Sequence, residues 1–322
     1  MILKCPDSNL SMEDRIIYLL NNIEEWINLK PLKELVALFG GISDNNVNYI
    51  TYLNEFVEVW NYRAALQDKN ERWNIYDDEF VDKNKRTIMA CVKELGLVDS
   101  SVPRLSADYI LPLGGARFSN LYRTQYAHEA YNEIRKKDST KKIQVIALSG
   151  TRMINEKERY AVDTYAKGAE TEYDAICKGL ESAFEISDSY QEDVKDDCNI
   201  NLCSRVRHYE TESEYQEIWS LAAPSNDPKR RANSRDTFEF FLKYFKIKKG
   251  DSILLVTSQI YVPYQLMKFM DLAIDGEFNV DCIGYAMDTK EALARPSNFL
   301  QEVKGAVNAM YGLWCKYSNY KL

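Results

Sequence analysis

The first hundred residues carry apolar side chains at intervals of three and four, which is the spacing of one face of an α-helix. In the run MEDRIIYLLNNIEEWINL this face consists of Ile16, Leu19, Leu20, Ile23 and Ile27. The next run, PLKELVALFGG, opens on a proline and closes on two glycines, as helices commonly do. No strand pattern competes in this stretch. The sequence therefore predicts an all-helical N-terminal module over residues 1–104.

From residue 105 onwards, short apolar runs alternate with helical stretches. The apolar runs are DYILPLGG, KIQVIALSG, SEYQEIWSLAAPS, DSILLVTSQ and EFNVDCIGYA. Continuous apolar strands that alternate with helices are typical of a parallel sheet covered on both faces. Residues 105–322 are therefore predicted to form one ligand-binding α/β domain, with a Rossmann-like, mostly parallel sheet and helices on both faces. The segment 186–216 is acidic and polar, and is expected to be an irregular insertion or a lid.

Charge and composition narrow the class of partner. The 41 basic and 49 acidic residues give a net charge of −8, which argues against nucleic acid as the main partner because that binding needs a basic face. No run of about 18 apolar residues indicates a membrane span, and acidic residues interrupt the start of the chain, unlike a signal peptide. Seven scattered cysteines and two histidines favour reduced thiols in a cytoplasmic protein without a metal site. The cofactor is left open.

Four turns follow the predicted strands, and in parallel sheets ligands bind beyond the carboxyl ends of the strands. These turns are Gly114–Arg117, Ser149–Arg152, Ser225–Asp236 and Ser258–Tyr261. We expect their side chains and N–H groups to meet at one edge of the sheet and to line a crevice.

The first two turns combine small residues with arginines. In PLGGARFSNLYR, the two glycines let backbone N–H groups approach a ligand, and the alternative is a tight turn that carries two surface arginines. The third glycine of the dinucleotide fingerprint is missing, which disfavours a nicotinamide dehydrogenase. ALSGTR has the same pattern. The predicted ligand-binding residues of the two turns are Gly114, Gly115, Arg117, Arg123, Ser149, Gly150, Thr151 and Arg152.

Three carboxylates, Glu170, Glu172 and Asp174, fall at the predicted start of the helix in KGAETEYDAI. They either cap that helix and complement its dipole, or Glu172 faces the crevice as a hydrogen-bond acceptor or general base. We take Glu172 as a predicted catalytic residue.

A basic loop, PSNDPKRRA, leads into the helix of NSRDTFEFF. A helix N-terminus favours an anion by only about 0.3–1 kcal/mol, whereas micromolar binding needs about 8 kcal/mol, so charged arginine contacts are required. A solvated turn is the alternative. We expect Arg235 to contact the ligand and Arg230 to turn to solvent. Asp236 is the second predicted catalytic residue, and Asn233, Ser234, Arg235 and Thr237 are predicted ligand-binding residues.

These motifs together resemble the bacterial SanA/YdcF/ElyC-like family over about residues 105–290. The resemblance rests on the glycines and the Ser-Gly step of the first two turns, on Glu172, on SRDTFEF in place of SRNTYEN, and on LLVTSQIYVPYQ. Tyr261 and Tyr264 stand where that family has histidine and arginine. The resemblance implies a Rossmann-like fold with a crevice for a nucleotide-like or adenosyl-containing anion, and adds Ser258, Gln259 and Tyr261 to the predicted ligand-binding residues.

The sequence thus predicts that the chain binds a small anionic, nucleotide-like molecule and acts as a hydrolase or transferase. In that interpretation Arg117, Arg152 and Arg235 hold the anion, and Glu172 or Asp236 handles a proton or a ribose hydroxyl. The alternative is a non-catalytic ligand sensor that signals through the helical module.

Overall fold

The structure is a computed structural model that describes residues 3–42, 48–64, 74–187, 189–211, 216–288 and 294–321. Its contacts divide the chain into two compact units. Unit 1 comprises Met1–Ser101, Gln259–Asp275 and Ala286–Leu322, and unit 2 comprises Val102–Ser258 and Gly276–Tyr285.

All seven strands lie between residues 109 and 285 of the described chain, with helices between most of them. The helices are α1 (Met12–Ile27), α2 (Lys30–Leu38), α3 (Tyr49–Phe56), α4 (Glu79–Glu94), α5 (Ser119–Lys137), α6 (Glu156–Val162), α7 (Glu172–Phe184), α8 (Ser234–Tyr244), α9 (Val262–Asp275) and α10 (Pro296–Tyr317). The strands are β1 (Tyr109–Pro112), β2 (Ile143–Gly150), β3 (Tyr190–Lys195), β4 (Ser204–Tyr209), β5 (Gln216–Ala223), β6 (Ser252–Ser258) and β7 (Asn279–Tyr285).

In its described residues, unit 1 has helices and loops and no strand, which confirms the predicted helical N-terminal region. The apolar face of α1 that the sequence identified is buried, and α10 packs on α9, α4 and α3. The C-terminal helices α9 and α10 therefore belong to the same compact unit as α1–α4. The sequence-based division between residues 104 and 105 places α9 and α10 in the α/β domain instead, and it stays a prediction.

A buried arginine connects α1 to α9 within unit 1. Arg15 on α1 is fully buried, and its Nη1 donates to the carbonyls of Ala273 and Ile274 at 3.1 and 3.2 Å. These carbonyls lie in the last turn of α9, where helix geometry leaves C=O groups without intrahelical partners. A cation at a helix C-terminus also complements the helix dipole. Arg15 thus caps α9 from α1.

Unit 2 contains one seven-stranded sheet in the order β3-β4-β5-β2-β1-β6-β7. The strands β5, β2, β1, β6 and β7 run parallel to one another, and they are the five strands that the apolar runs predict. This confirms the α/β class with a mostly parallel sheet. The expectation that segment 186–216 is irregular is wrong for its described residues, because β3 and β4 form an antiparallel pair and β4 also pairs with β5. That the segment is an insertion or a lid stays a prediction.

Both faces of the sheet are covered. Ile110 on β1 and Ile218 on β5 pack into a core with residues of α5 and α7. Their neighbours along the strands point the other way, as in any strand, and meet α8: the Tyr109 ring lies 6.0 Å from that of Phe241. The sequence pattern of uninterrupted apolar strands follows from this double burial.

The strand order reverses at β1. From β1 the chain adds β2 and then β5 on one side, and it later returns to place β6 and β7 on the other side. Connections that leave in opposite directions from neighbouring strands open a crevice beyond their carboxyl ends. The ends of β1 and β6 are therefore the place where this rule expects a ligand crevice.

No helix in the described part of the chain combines the length and the apolar character that a membrane crossing requires.

We expect Arg15→Ala to lower the free energy of unfolding by about 2–4 kcal/mol, because two buried carbonyls lose their donor and the side chain leaves a cavity. Urea denaturation measures the change. Arg86→Ala on the exposed side of α4 is the matched control and should stay within about 0.5 kcal/mol of the wild type. Equal stability of the Arg15→Ala protein and the wild type would show that this cap contributes nothing.

Candidate functional site

The turn after β1 is fixed by hydrogen bonds to β2 and to α5. The Gly114 N–H donates to the Leu148 carbonyl at 2.6 Å, and the Gly115 N–H donates to Asn120 Oδ1 at 2.8 Å. Asn120 is 1% exposed, so its amide is held in place beneath the turn. The Gly-Gly turn is therefore rigid and sits directly beside the end of β2.

Arg123 on α5 ties the end of β1 to the end of β6. Its Nη1 donates to the carbonyls of Leu113 and Gly114 at 2.8 and 2.5 Å, and its Nη2 donates to Ser258 Oγ at 3.2 Å. Ser258 Oγ in turn lies 3.0 Å from the Tyr285 hydroxyl at the end of β7. Three neighbouring strands are thus joined at the crevice, and Arg123, predicted to bind the ligand, bonds to protein groups in the structure.

Gly115 leaves no room for a side chain. A Cβ there would lie 2.7 Å from Ser119 Cβ and 2.8 Å from Arg123 Nη1. This glycine is therefore explained by the packing of α5 against the turn, in addition to any approach of a ligand.

A short antiparallel contact brings Glu172 to Arg152. Residues 152–154 pair with 170–172 through the hydrogen bond from the Glu172 N–H to the Arg152 carbonyl, at 2.8 Å, and through a bridge between Met153 and Thr171. Glu172 is the first residue of α7, which Thr171 and Asp174 cap. The capping role that the sequence left open thus belongs to Asp174, and Glu172 is free of it.

Arg152 lies between two carboxylates. Its Nη1 and Nη2 bind both oxygens of Glu158 at 2.7 and 3.0 Å, and its Nε donates to Glu172 Oε2 at 3.0 Å. The Glu158 side chain is 1% exposed, and those of Arg152 and Glu172 are each 15% exposed. A bidentate pair of this kind is among the strongest of charged contacts. Arg152 therefore has most of its donors engaged within the protein.

The ionised forms of this network stabilise one another. Burial disfavours the charge of Arg152, but the hydrogen bonds and charges of Glu158 and Glu172 outweigh burial and raise its pKa above the usual range. Burial raises the pKa of Glu158, yet Arg152 and the N–H groups of Asn155 and Arg117 lower it overall. Arg152 and Glu158 thus stay charged near neutral pH.

The second oxygen of Glu172 points at the Gly-Gly turn. A Cβ on Gly114 would lie 2.4 Å from Glu172 Oε1, so the carboxylate is in contact with the backbone at the end of β1. No hydrogen bond from the described residues reaches Oε1. Residue 114 must be glycine for the carboxylate to occupy this place.

The remaining residues of the second turn bond to neighbouring strands and loops. Ser149 is 2% exposed, and its Oγ donates to the Leu221 carbonyl at 3.2 Å. Thr151 Oγ1 donates to the Ile200 carbonyl at 2.6 Å. A Cβ on Gly150 would meet Ala232 Cβ at 3.6 Å, an ordinary contact. The structure brings these residues to the same edge as Gly114 and gives Ser149 and Thr151 structural partners.

The basic loop before α8 is closed by its own ion pair. Asn233 caps the helix, and Asp236 accepts from the Asn233 N–H at 2.8 Å. Arg230 Nη1 donates to Asp236 Oδ2 at 2.5 Å, and the Asp236 side chain is 1% exposed. The expectation that Arg230 turns to solvent is therefore wrong, because the buried carboxylate of Asp236 draws its guanidinium inwards.

Asp236 keeps its charge in this setting. Burial raises its pKa, but the Arg230 guanidinium and the N–H groups of Asn233 and Asn226 lower the pKa overall. Both of its oxygens accept hydrogen bonds from the loop. Asp236 thus holds the loop onto α8.

Arg235 lies on the outer side of α8. Its Nε donates to Glu239 Oε1 at 2.5 Å, one helical turn further along, and its side chain is 39% exposed. Thr237 Oγ1 donates to the Ser234 carbonyl at 2.9 Å. The cation predicted to contact the ligand is thus in a surface ion pair, and the buried pair is made by Arg230.

Gln259 and Tyr261 belong to unit 1. Gln259 Nε2 donates to the Gly96 carbonyl at 2.6 Å, and its Oε1 accepts from Ser101 Oγ at 2.8 Å. Tyr261 is 4% exposed. Within unit 1 both side chains are buried, and Gln259 connects the end of the N-terminal helical region to the start of α9.

The four helices in the described part of unit 2, α5 to α8, differ in how their N-termini are capped. Each of α6, α7 and α8 has a complete capping box made by its own side chains. Helix α5, which has 19 residues, begins at Ser119, and its N-cap residue Phe118 makes no side-chain cap hydrogen bond. Since the first N–H groups of a helix need acceptors, the start of α5 differs from the other three.

Three side chains of this site were not predicted from the sequence: Asn120, Glu158 and Tyr165. Glu158 was detectable, because the spacing of Asn155 and Glu158 fits a capping box and places a carboxylate six residues after Arg152. Tyr165 donates its hydroxyl to the Arg117 carbonyl at 2.8 Å, and no local pattern signals this contact.

Arg117 adopts a left-handed backbone conformation at φ 53°. Its guanidinium carbon lies 5.6 Å from the centroid of the Tyr160 ring, a distance typical of a cation–π contact. It is half-buried at the start of α5.

Over the described ranges, no group of three or more His, Cys, Asp or Glu residues has an arrangement suited to a metal ion.

Comparisons with known proteins give relatives for both units. The family model described as the Rv3785 N-terminal domain matches residues 12–96, which run from the start of α1 to just beyond α4. The uncharacterized proteins Rv3785 and MT3893 of Mycobacterium tuberculosis and Mb3814 of Mycobacterium bovis are each 28% identical to this chain over 339 aligned positions. The alignments cover 96% of this chain and 93% of each relative. No solved structure matches the chain.

These findings overturn the resemblance to the SanA/YdcF/ElyC-like family. The matching family model is that of the Rv3785 N-terminal domain, and the similar proteins are Rv3785 itself and uncharacterized proteins such as Mb3814. The motifs behind the resemblance are short, and glycine turns and Asn or Ser caps recur wherever parallel strands lead into helices. The chain is similar to the Rv3785 proteins over nearly its full length.

Proposed function

We propose that unit 2 binds a small anionic, nucleotide-like molecule beyond the carboxyl ends of β1, β2 and β6 and acts on it as a hydrolase or transferase. The observation that carries this proposal is the start of α5. It follows the Gly-Gly turn at the point where the strand order reverses, and unlike α6, α7 and α8 it has no side-chain cap.

The N–H groups at the start of α5 suit an anion. A helix N-terminus carries a partial positive charge, and its N–H groups point along the axis at whatever lies in front of them. The glycine turn gives the backbone a close approach. Arg117 stands at this position and supplies the full positive charge that the dipole lacks.

Glu172 is the side chain placed to assist a reaction. Arg152 holds Oε2, so the carboxylate keeps one orientation, and Oε1 faces the turn after β1. A carboxylate fixed in this way serves as a general base for a hydroxyl or a water molecule. Asp236, by contrast, has both oxygens in hydrogen bonds with its own loop, and we therefore assign the proton transfer to Glu172 alone.

A cytoplasmic setting completes the proposal. All seven cysteines carry free thiols in the structure, which fits a reducing compartment.

Mass spectrometry of the small molecules released from the purified protein tests the ligand class. A phosphorylated molecule is the expected finding. Recovery of neutral or cationic molecules alone, together with the absence of inorganic phosphate binding in calorimetry, would reject an anion site.

We expect Glu172→Gln to reduce turnover of the co-purifying molecule at least 100-fold, because general base catalysis typically contributes 10²–10⁴-fold. Its affinity for the molecule should change less than about tenfold, since the shape of the side chain is kept. Glu239→Gln, which alters the exposed partner of Arg235, is the control and should turn over normally. A wild-type protein that binds the molecule and returns it unchanged would contradict the enzyme and favour the sensor.

Arg117→Ala should weaken binding of inorganic phosphate about tenfold, the scale of one charged hydrogen bond. Arg235→Ala should change that affinity less than twofold, because its guanidinium pairs with Glu239 on the outer side of α8. Isothermal titration of the two variants makes the comparison. A larger loss from Arg235→Ala than from Arg117→Ala would move the anion from α5 to α8.

A further inference from the structure

The Glu172–Arg152–Glu158 network shows which group of the ligand faces Glu172. Resting on the proposed anion site at α5, we infer that Glu172 Oε1 accepts a hydrogen bond from a hydroxyl of the ligand and that Arg152 positions Glu172 and does not contact the anion. The ligand class is then a phosphate ester that carries a free hydroxyl on its sugar, such as a ribonucleotide.

The donors of Arg152 are occupied by protein carboxylates. Nη1 and Nη2 bind Glu158, and Nε binds Glu172. Glu158 is in turn held by the Asn155 N–H at 2.8 Å and has 1% of its side chain exposed. To grip a phosphate, Arg152 would have to leave a buried carboxylate without its counter-charge, which is costly. Arg152 is thus a positioning residue for Glu172.

Glu172 Oε1 can only accept a hydrogen bond. An ionised carboxylate has acceptors only, so the ligand atom that meets Oε1 must be a donor. A phosphate oxygen at this place would be repelled. Arg152 already holds Oε2, so Oε1 needs only one further hydrogen-bond donor, and a neutral hydroxyl supplies it without the desolvation cost of an ammonium group.

Glu172 Oε1 lies close to the start of α5. It touches Gly114 at the end of β1, and the Gly114–Gly115 turn leads within a few residues into the start of α5. An anion at α5 and a hydroxyl at Glu172 must therefore belong to neighbouring parts of one molecule. The ribose of a nucleotide carries its hydroxyls a few bonds from its phosphate and meets both conditions.

The test compares adenosine 5′-monophosphate with its 2′-deoxy and 3′-deoxy forms by isothermal titration of the full chain. We expect the wild type to bind the ribonucleotide at least about tenfold more tightly than one of the deoxy forms, the scale of a hydrogen bond to a charged group. In Glu172→Gln this ratio should fall below about threefold, while the deoxy form binds as before.

Gly114→Ala provides an independent variant that keeps the carboxylate. The new methyl group would lie 2.4 Å from Oε1 and would displace it, so the ratio should fall as in Glu172→Gln. Gly312→Ala on the exposed side of α10 would meet nothing outside its own helix within 4 Å and should keep the wild-type ratio. Because each ratio compares ligands on one protein sample, a partial loss of folded protein cancels.

The outcomes separate this inference from the proposed function. Equal affinity of the wild type for all three nucleotides, or a ratio that survives in both Glu172→Gln and Gly114→Ala, would overturn the role of Glu172 while the anion site stands. A wild type that binds neither the three nucleotides nor inorganic phosphate would overturn the anion site and this inference together.

Discussion

A guanidinium shared by two carboxylates organises the site of unit 2. Arg152 is bound on one side by the buried Glu158, which the Asn155 N–H also holds, and on the other by Glu172. Removing one partner of a buried ionic group leaves the other uncompensated, at a cost of several kcal/mol. The network therefore keeps Glu172 Oε1 at one place, against Gly114.

Three of the described helices of unit 2 have N-termini capped by side chains, and α5 does not. Capping boxes occupy the first N–H groups of α6, α7 and α8, and they also account for Asp174 and Asp236, two acidic residues whose position in a first turn suggests chemistry. Helix α5 lacks such a box. The proposed anion site at α5 and the proposed hydroxyl contact at Glu172 are consequences of how these backbone groups are satisfied.

Unit 1 shows how distant segments of the chain form one helical body. The N-terminal helices and the C-terminal helices α9 and α10 pack together, and Arg15 caps α9 through a contact that spans 258 residues of sequence. The similarity to the Rv3785 N-terminal domain covers residues 12–96, so the family model matches the first part of this unit, and the full-length relatives extend the similarity to the rest.

The sequence by itself determined the N-terminal helices, the five parallel strands and the sheet edge to which the predicted turns lead, but not the hairpin of β3 and β4. Helical spacing and uninterrupted apolar strands are local consequences of burial on one face or on two, and the carboxyl ends of parallel strands share an edge whatever their order. Only the tertiary structure decided which charges meet there. Arg230 and Arg235 are five residues apart and equally basic, yet the first reaches the buried Asp236 and the second pairs with Glu239 on the surface. The pairing of Arg152 with Glu158 and Glu172, and of Arg15 with α9, was likewise undetermined, because burial and counter-charges are set by segments far apart in sequence.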